Sequence, residues 1–101
     1  MTRIPEATRE TVPERARDAF DQMLELSGGK MPIGPGAVSM HSPEFALKRI
    51  PLSNYLRWAM TIPQHIQELA ILATARAMDC PYVWNAHAAL ARVQGVAAEL
   101  V

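Results

Sequence analysis

The sequence predicts an all-α protein built on an antiparallel helical hairpin. Apolar residues recur at the three- and four-residue spacing of a helix face, prolines and glycines bracket each such run, and no segment alternates apolar with polar residues as a half-buried strand would. The hairpin is the stretch Glu68 to Gly95, ELAILATARAMDCPYVWNAHAALARVQG. Its first helix opens at Pro63, whose missing N–H costs nothing in a first turn, and carries Ile66, Leu69, Ala70, Ala73 and Ala77 as its expected buried face. Asp79, Cys80 and Pro81 break that helix, because Pro81 lacks a donor and pushes the residue before it out of the α region. A second helix runs from about Tyr82 and stops at Gly95, a residue suited to the left-handed conformation of a helix end.

The other elements follow from the same signals. Residues 1–11 (MTRIPEATRET) are charged and interrupted by Pro5, which points to a flexible N-terminal arm. Thr11 reads as an N-cap, with Pro13 in the first turn and Glu14 three residues after the cap. The helix it starts extends to about Leu26, with Ala16, Ala19, Phe20, Met23, Leu24 and Leu26 as its apolar stripe and Arg15, Arg17, Asp18, Asp21 and Glu25 toward water. Ser27 to Gly36 holds four of the five glycines and two prolines, and reads as a loop. A helical turn over Ala37 to Met40 precedes a helix with Ser42 as N-cap and Pro43 at its first position. Pro51 is expected to end or kink that helix, after which Leu52, Tyr55, Leu56 and Met60 share a side, and Arg57 and Trp58 reach toward a ligand or a neighbouring subunit. Val96 to Val101 reads as the opening turn of one more helix.

Composition narrows the function classes. A chain of 101 residues, half of them hydrophobic, makes one domain with a modest core of its own, so self-association is expected. Ten basic residues balance ten acidic ones, which gives neither a nucleic-acid backbone nor an anionic membrane anything to recognise. One cysteine offers no internal disulfide and fits a reducing compartment. No apolar run approaches the roughly 20 residues that span a bilayer, and the first ten residues are polar, so the expected location is cytoplasmic.

Three polar groups in the hairpin stand among apolar neighbours: Glu68, Cys80 and His87. An ionised carboxylate on a buried stripe is costly unless something pairs with it, and His87 lies between Ala86, Ala88 and Ala89. A hairpin that brings the two together makes an acid/base pair. The bland alternative for Glu68 is a structural carboxylate paired with an arginine such as Arg76 or Arg49. For Cys80 it is an inert buried thiol. His41 is either a surface histidine beside a cap or a pocket residue, and Tyr82 and Trp84 are either pocket wall or core. His65 and Glu68 share a helix face in the order H-x-x-E, but two further ligands at metal spacing are missing, so no metal is expected. The loop SGGKMPIGPG lacks the order of a phosphate-binding loop.

The hairpin resembles the carboxymuconolactone decarboxylase family, which includes the alkyl hydroperoxidase D-like proteins. The peroxidase branch of that family has a Glu, a Cys twelve residues on, a second Cys three further and a His four beyond; here those offsets fall on Glu68, Cys80, Val83 and His87. Three positions match and Val83 does not, which removes the resolving thiol that internal dithiol cycling needs. The remaining pattern, Tyr82-x-Trp84-x-x-His87, is similar to the decarboxylase-like branch, and His41-Ser42-Pro43-Glu44 is also similar to a step in the family. The resemblance covers about residues 12–101 and is carried most by 63–95.

The resemblance implies an oligomeric helical bundle of the alkyl hydroperoxidase D type, a trimer or hexamer, over residues 12–101. It also implies a domain incomplete at its C-terminus, so that a second chain supplying further helices is an alternative partner. It implies a cofactor-independent lyase acting on a small carboxylated lactone or a related intermediate of aromatic degradation. Glu68 and His87 would be the catalytic pair, Cys80 a third candidate, and His41, Arg49, Arg57, Tyr82 and Trp84 would bind the substrate, with Arg76 a further candidate for its carboxylate. The alternatives are a one-cysteine thiol peroxidase and a non-catalytic subunit that completes another chain's site.

Overall fold

The structure is a computed structural model that describes residues 3–101 of the chain; Met1 and Thr2, the start of the expected arm, lie outside the described residues. Among the described residues the chain is all helical, with α1 (Arg17–Leu26), α2 (Pro35–Ser39), α3 (Pro43–Asn54), α4 (Gln64–Ala77) and α5 (Pro81–Val93), and without strands. It divides into two compact units, Met1–Leu56 and Arg57–Val101.

In the first unit α1 packs against α3, and α2 against α3. Its core is Ala7, Val12, Phe20, Met23, Met40 and Ala46, with Leu24, Met31, Leu47 and Ile50 packed around them. Ala7, from the segment expected to be a flexible arm, is thus buried. The expected start at Thr11 is corrected. Thr11 does not cap a downstream helix: its hydroxyl accepts from the Thr8 N–H at 2.8 Å and donates to the Thr8 carbonyl, closing a turn, and the chain enters α1 through a 3-10 turn at Glu14–Ala16. Ala16, Ala19, Phe20 and Met23 are buried as the stripe predicts, whereas Leu26, in the last turn, is exposed. Ser42 and Pro43 open α3 as expected, although the Ser42 hydroxyl makes no cap bond. Pro51 lies inside α3 and does not end it; the helix continues to Asn54 and then widens into a π turn over Tyr55–Ala59.

The second unit is the hairpin of α4 and α5, which pack against each other. The turn between them is Met78, Asp79 and Cys80. Asp79 takes the left-handed conformation (φ 48°), the Cys80 N–H returns to the Ala75 carbonyl at 2.8 Å, and the Asp79 N–H to that of Arg76 at 3.2 Å, so two orphan carbonyls of α4 are satisfied. Cys80 then serves as the N-cap position of α5, with Pro81 first in the helix. α5 closes by the same device, with Gly95 at φ 96° and the Val96 N–H bonded to the Ala91 carbonyl at 2.9 Å. The final residues form a 3-10 turn, Ala98–Leu100. No helix among the described residues is long and apolar enough to cross a membrane.

Candidate active site

The register of α4 sets the site. Its buried residues are Glu68, Leu72 and Ala75, spaced four and three apart on one stripe. This corrects the face expected from the sequence, since Ile66, Ala70, Ala73 and Ala77 are exposed and only Leu69 joins the packing. Counting apolar residues singles out the stripe of Ile66, Ala70, Ala73 and Ala77, but the buried stripe lies on another side of α4 and is the one that contains the carboxylate. Leu72, Ala91 and Val96 form the core here, with Leu69, Trp84, Ala88 and Val101 packed against it. His87 stands one turn before Ala91, which aims its ring at α4.

Glu68 is fully enclosed, at 0% exposure. Its two carboxylate oxygens face different partners. The His87 Nδ1–H donates to Oε2 at 2.7 Å, and the guanidinium of Arg57 stands with Nη1 2.8 Å from Oε1. The Arg57 contact is an ion pair without hydrogen-bond alignment, because neither Nη1 nor Oε1 has an aligned partner among the described residues. The arginine partner is therefore Arg57, from the π turn, and not Arg76. Both flanking side chains keep 26% of their exposure, so the carboxylate is sealed while the groups that hold it reach solvent. With Nδ1 committed to Glu68, the nitrogen of His87 left for chemistry is Nε2.

A second feature of the unit is a cavity of about 160 Å³ lined by Ala75, Arg76, Asp79, Cys80, Pro81 and Trp84. Cys80 is a free, half-buried thiol at its wall, without a hydrogen bond to Glu68 or His87 among the described residues. Tyr82, one residue into α5, is 54% exposed. Of the remaining candidates, His41 and Arg49 belong to the first unit. The ring Nε2–H of His41 donates to the Pro5 carbonyl at 2.9 Å, which ties it to the N-terminal segment. Arg49, on α3, has a buried Nε without a hydrogen-bond partner among the described residues. No group of three or more His, Cys, Asp or Glu side chains among the described residues is arranged to hold a metal ion. Sequence reasoning placed Arg57 at a ligand or a subunit neighbour; its contact with Glu68 depends on the π turn, for which periodicity gives no signal.

The chain is thus an all-α protein whose helical hairpin encloses a carboxylate between an imidazole and a guanidinium. The sequence model of the carboxymuconolactone decarboxylase family matches residues 43–101, more than half of the chain, and the protein belongs to that family. The match runs from the first residue of α3 through the whole hairpin. No curated protein and no solved structure matches the chain.

Proposed function

We propose that the chain is a cofactor-independent, decarboxylase-like lyase acting on a small carboxylated lactone or a related intermediate of aromatic degradation, with His87 as its acid/base group. The observation that carries this reading is the 2.7 Å bond from His87 Nδ1 to a fully buried Glu68, which orients the ring and leaves Nε2 for the substrate. In the reaction the bond from the ring carbon to the carboxylate breaks, carbon dioxide leaves, and the electron pair delocalises into the lactone carbonyl. In its doubly protonated form His87 then gives the Nε2 proton to the carbon, which returns the ring to the neutral form with its hydrogen on Nδ1, and it recovers a proton from water. Glu68, with each oxygen already engaged, orients and compensates charge and does not itself meet the substrate. Arg76 lines the cavity at Cys80, whose walls include neither Glu68 nor His87.

The cavity at Cys80 favours one second reading, a one-cysteine thiol peroxidase in which the thiolate takes an oxygen from a peroxide to become a sulfenic acid, releases the alcohol, and is returned to thiol by two equivalents of an external thiol, which leave as a disulfide with loss of water. A single experiment separates the two: carbon dioxide release from carboxylated lactones and peroxide consumption, measured for the wild type, His87→Gln and Cys80→Ser. The lyase reading expects loss of decarboxylation of roughly 100-fold or more in His87→Gln and little change in Cys80→Ser. Full turnover by His87→Gln overturns the role of His87, and peroxide consumption abolished by Cys80→Ser supports the second reading.

A further inference from the structure

Arg57 is more constrained than a substrate-binding arginine needs to be. Its backbone belongs to the π turn Tyr55–Ala59, and its carbonyl accepts the side-chain amide of Gln64, in the first turn of α4. Its guanidinium lies 5.7 Å from the centre of the Trp58 ring, and its Nη1 is buried against Glu68 Oε1. A π turn carries one residue more per hydrogen-bonded ring than an α turn, so the residues around it sit at positions an unbroken helix would not give them. The charge of the cluster explains what this achieves. A fully enclosed carboxylate needs a compensating positive charge, and there are two ways to supply it here: a guanidinium, or a proton taken up within the Glu68–His87 pair itself.

We infer that Arg57 is the positioning residue of this site: its guanidinium balances buried Glu68, so that His87 keeps its Nδ1 proton on Glu68 and presents Nε2 outward. The inference rests on His87 being the working group, as proposed above, but it concerns the state of the ring and not the identity of the substrate. Without Arg57 the carboxyl group has nothing on Oε1. The pair then gains its compensating proton from water at Nε2, while the Nδ1 proton crosses the 2.7 Å contact to Glu68 Oε2; Oε2–H becomes the donor, Nδ1 the acceptor, and the ring hydrogen is on Nε2. Arg57 thus acts through Glu68 on which ring nitrogen carries hydrogen.

The test is ¹⁵N NMR of the imidazole nitrogens of the full chain without substrate, at a pH where the ring of His87 is neutral, with His87→Gln to assign the signals. The expected wild-type signature is a single tautomer protonated at Nδ1. Arg57→Met is expected to lose it in favour of the Nε2-protonated form, and Arg57→Lys, which restores the charge, to regain it. Two outcomes overturn the inference: a folded Arg57→Met variant with the wild-type tautomer, or a folded Arg57→Lys variant that fails to restore it. If Arg57→Met does not fold, the double variant Arg57→Met/Glu68→Met decides. Recovery of folding means the unbalanced carboxylate was the fault and supports the inference; failure to recover overturns it. Because the signature is read without turnover, it holds or fails separately from the lyase assignment, which the His87→Gln activity assay judges.

Discussion

The burial pattern of the Arg57–Glu68–His87 cluster predicts an asymmetry in stability that opposes intuition. Glu68→Gln removes the charge at the centre while keeping the shape. It forfeits a charge-assisted hydrogen bond of about 1.5–3 kcal/mol to His87, but it also relieves the desolvation of a carboxylate at 0% exposure, a cost of several kcal/mol. The charges left behind are not stranded, since the Arg57 and His87 side chains each retain 26% of their exposure and can turn to water. The net change expected is small, within about 1 kcal/mol of zero. Arg57→Met does the opposite, leaving the enclosed carboxylate with histidine alone; removal of one partner of a buried pair costs roughly 3–5 kcal/mol, and the partial exposure of Arg57 argues for the lower end, about 3. For a chain of this size each kcal/mol moves the melting temperature by about 4–8 °C, so Arg57→Met should melt at least about 12 °C below the wild type while Glu68→Gln stays within a few degrees. Urea denaturation followed by circular dichroism gives the same ordering from the midpoints, provided the slopes agree. A Glu68→Gln variant as unstable as Arg57→Met would show that the carboxylate is a net stabilising element, and the reasoning would fail.

Two further predictions concern the hairpin itself. Leu72→Ala, at a side chain 1% exposed in the centre of a small core, should cost about 2–5 kcal/mol in the same denaturation assay; a loss below about 1 kcal/mol would mean that the hairpin is not held by this cluster. At the turn, Asp79 occupies a left-handed conformation that costs most residues roughly 1–2 kcal/mol and glycine almost nothing. Asp79→Gly should therefore match or exceed the wild type in thermal stability and Asp79→Ala should lose about 1 kcal/mol, and the reverse order would refute this account of the turn.

What the sequence made legible was punctuation. Pro43, the break at Asp79 to Pro81 and the end at Gly95 all fall where local backbone chemistry places them, because each acts over a few residues, whereas the loop expected over Ser27 to Gly36 gives its last two residues to α2, which Pro35 opens. The pairing of Glu68 with His87 was legible for a related reason: a short turn joins two helices of known pitch, which leaves little freedom in what faces what. Three features lay beyond that reach. The buried face of α4 was misassigned because its most apolar stripe, Ile66, Ala70, Ala73 and Ala77, is exposed and the stripe that is buried carries a charged residue. Leu26 was assigned to the core by periodicity, which continues to the helix end after the packing partner has run out. The partner of Glu68 was missed because Pro51 does not terminate its helix and a π turn then changes the phase of Arg57, neither of which any repeat of 3.6 residues encodes.

The placement of Glu68 also bears on why the site exists. Position 68 lies on the same stripe as Leu72, beside Leu69, and is completely enclosed, so a leucine there would add apolar surface to a core otherwise built on Leu72, Ala91 and Val96. Replacing a buried ionic cluster by apolar side chains of similar volume is often neutral or stabilising by about 1–4 kcal/mol. A carboxylate in that position brings the fold no clear stability, and it obliges the chain to spend an arginine, a histidine and a π turn on accommodating it. Those three features make sense together if the arrangement serves His87. Its ring is fixed through Nδ1 by a group that water cannot reach, while the side chain itself keeps 26% of its exposure.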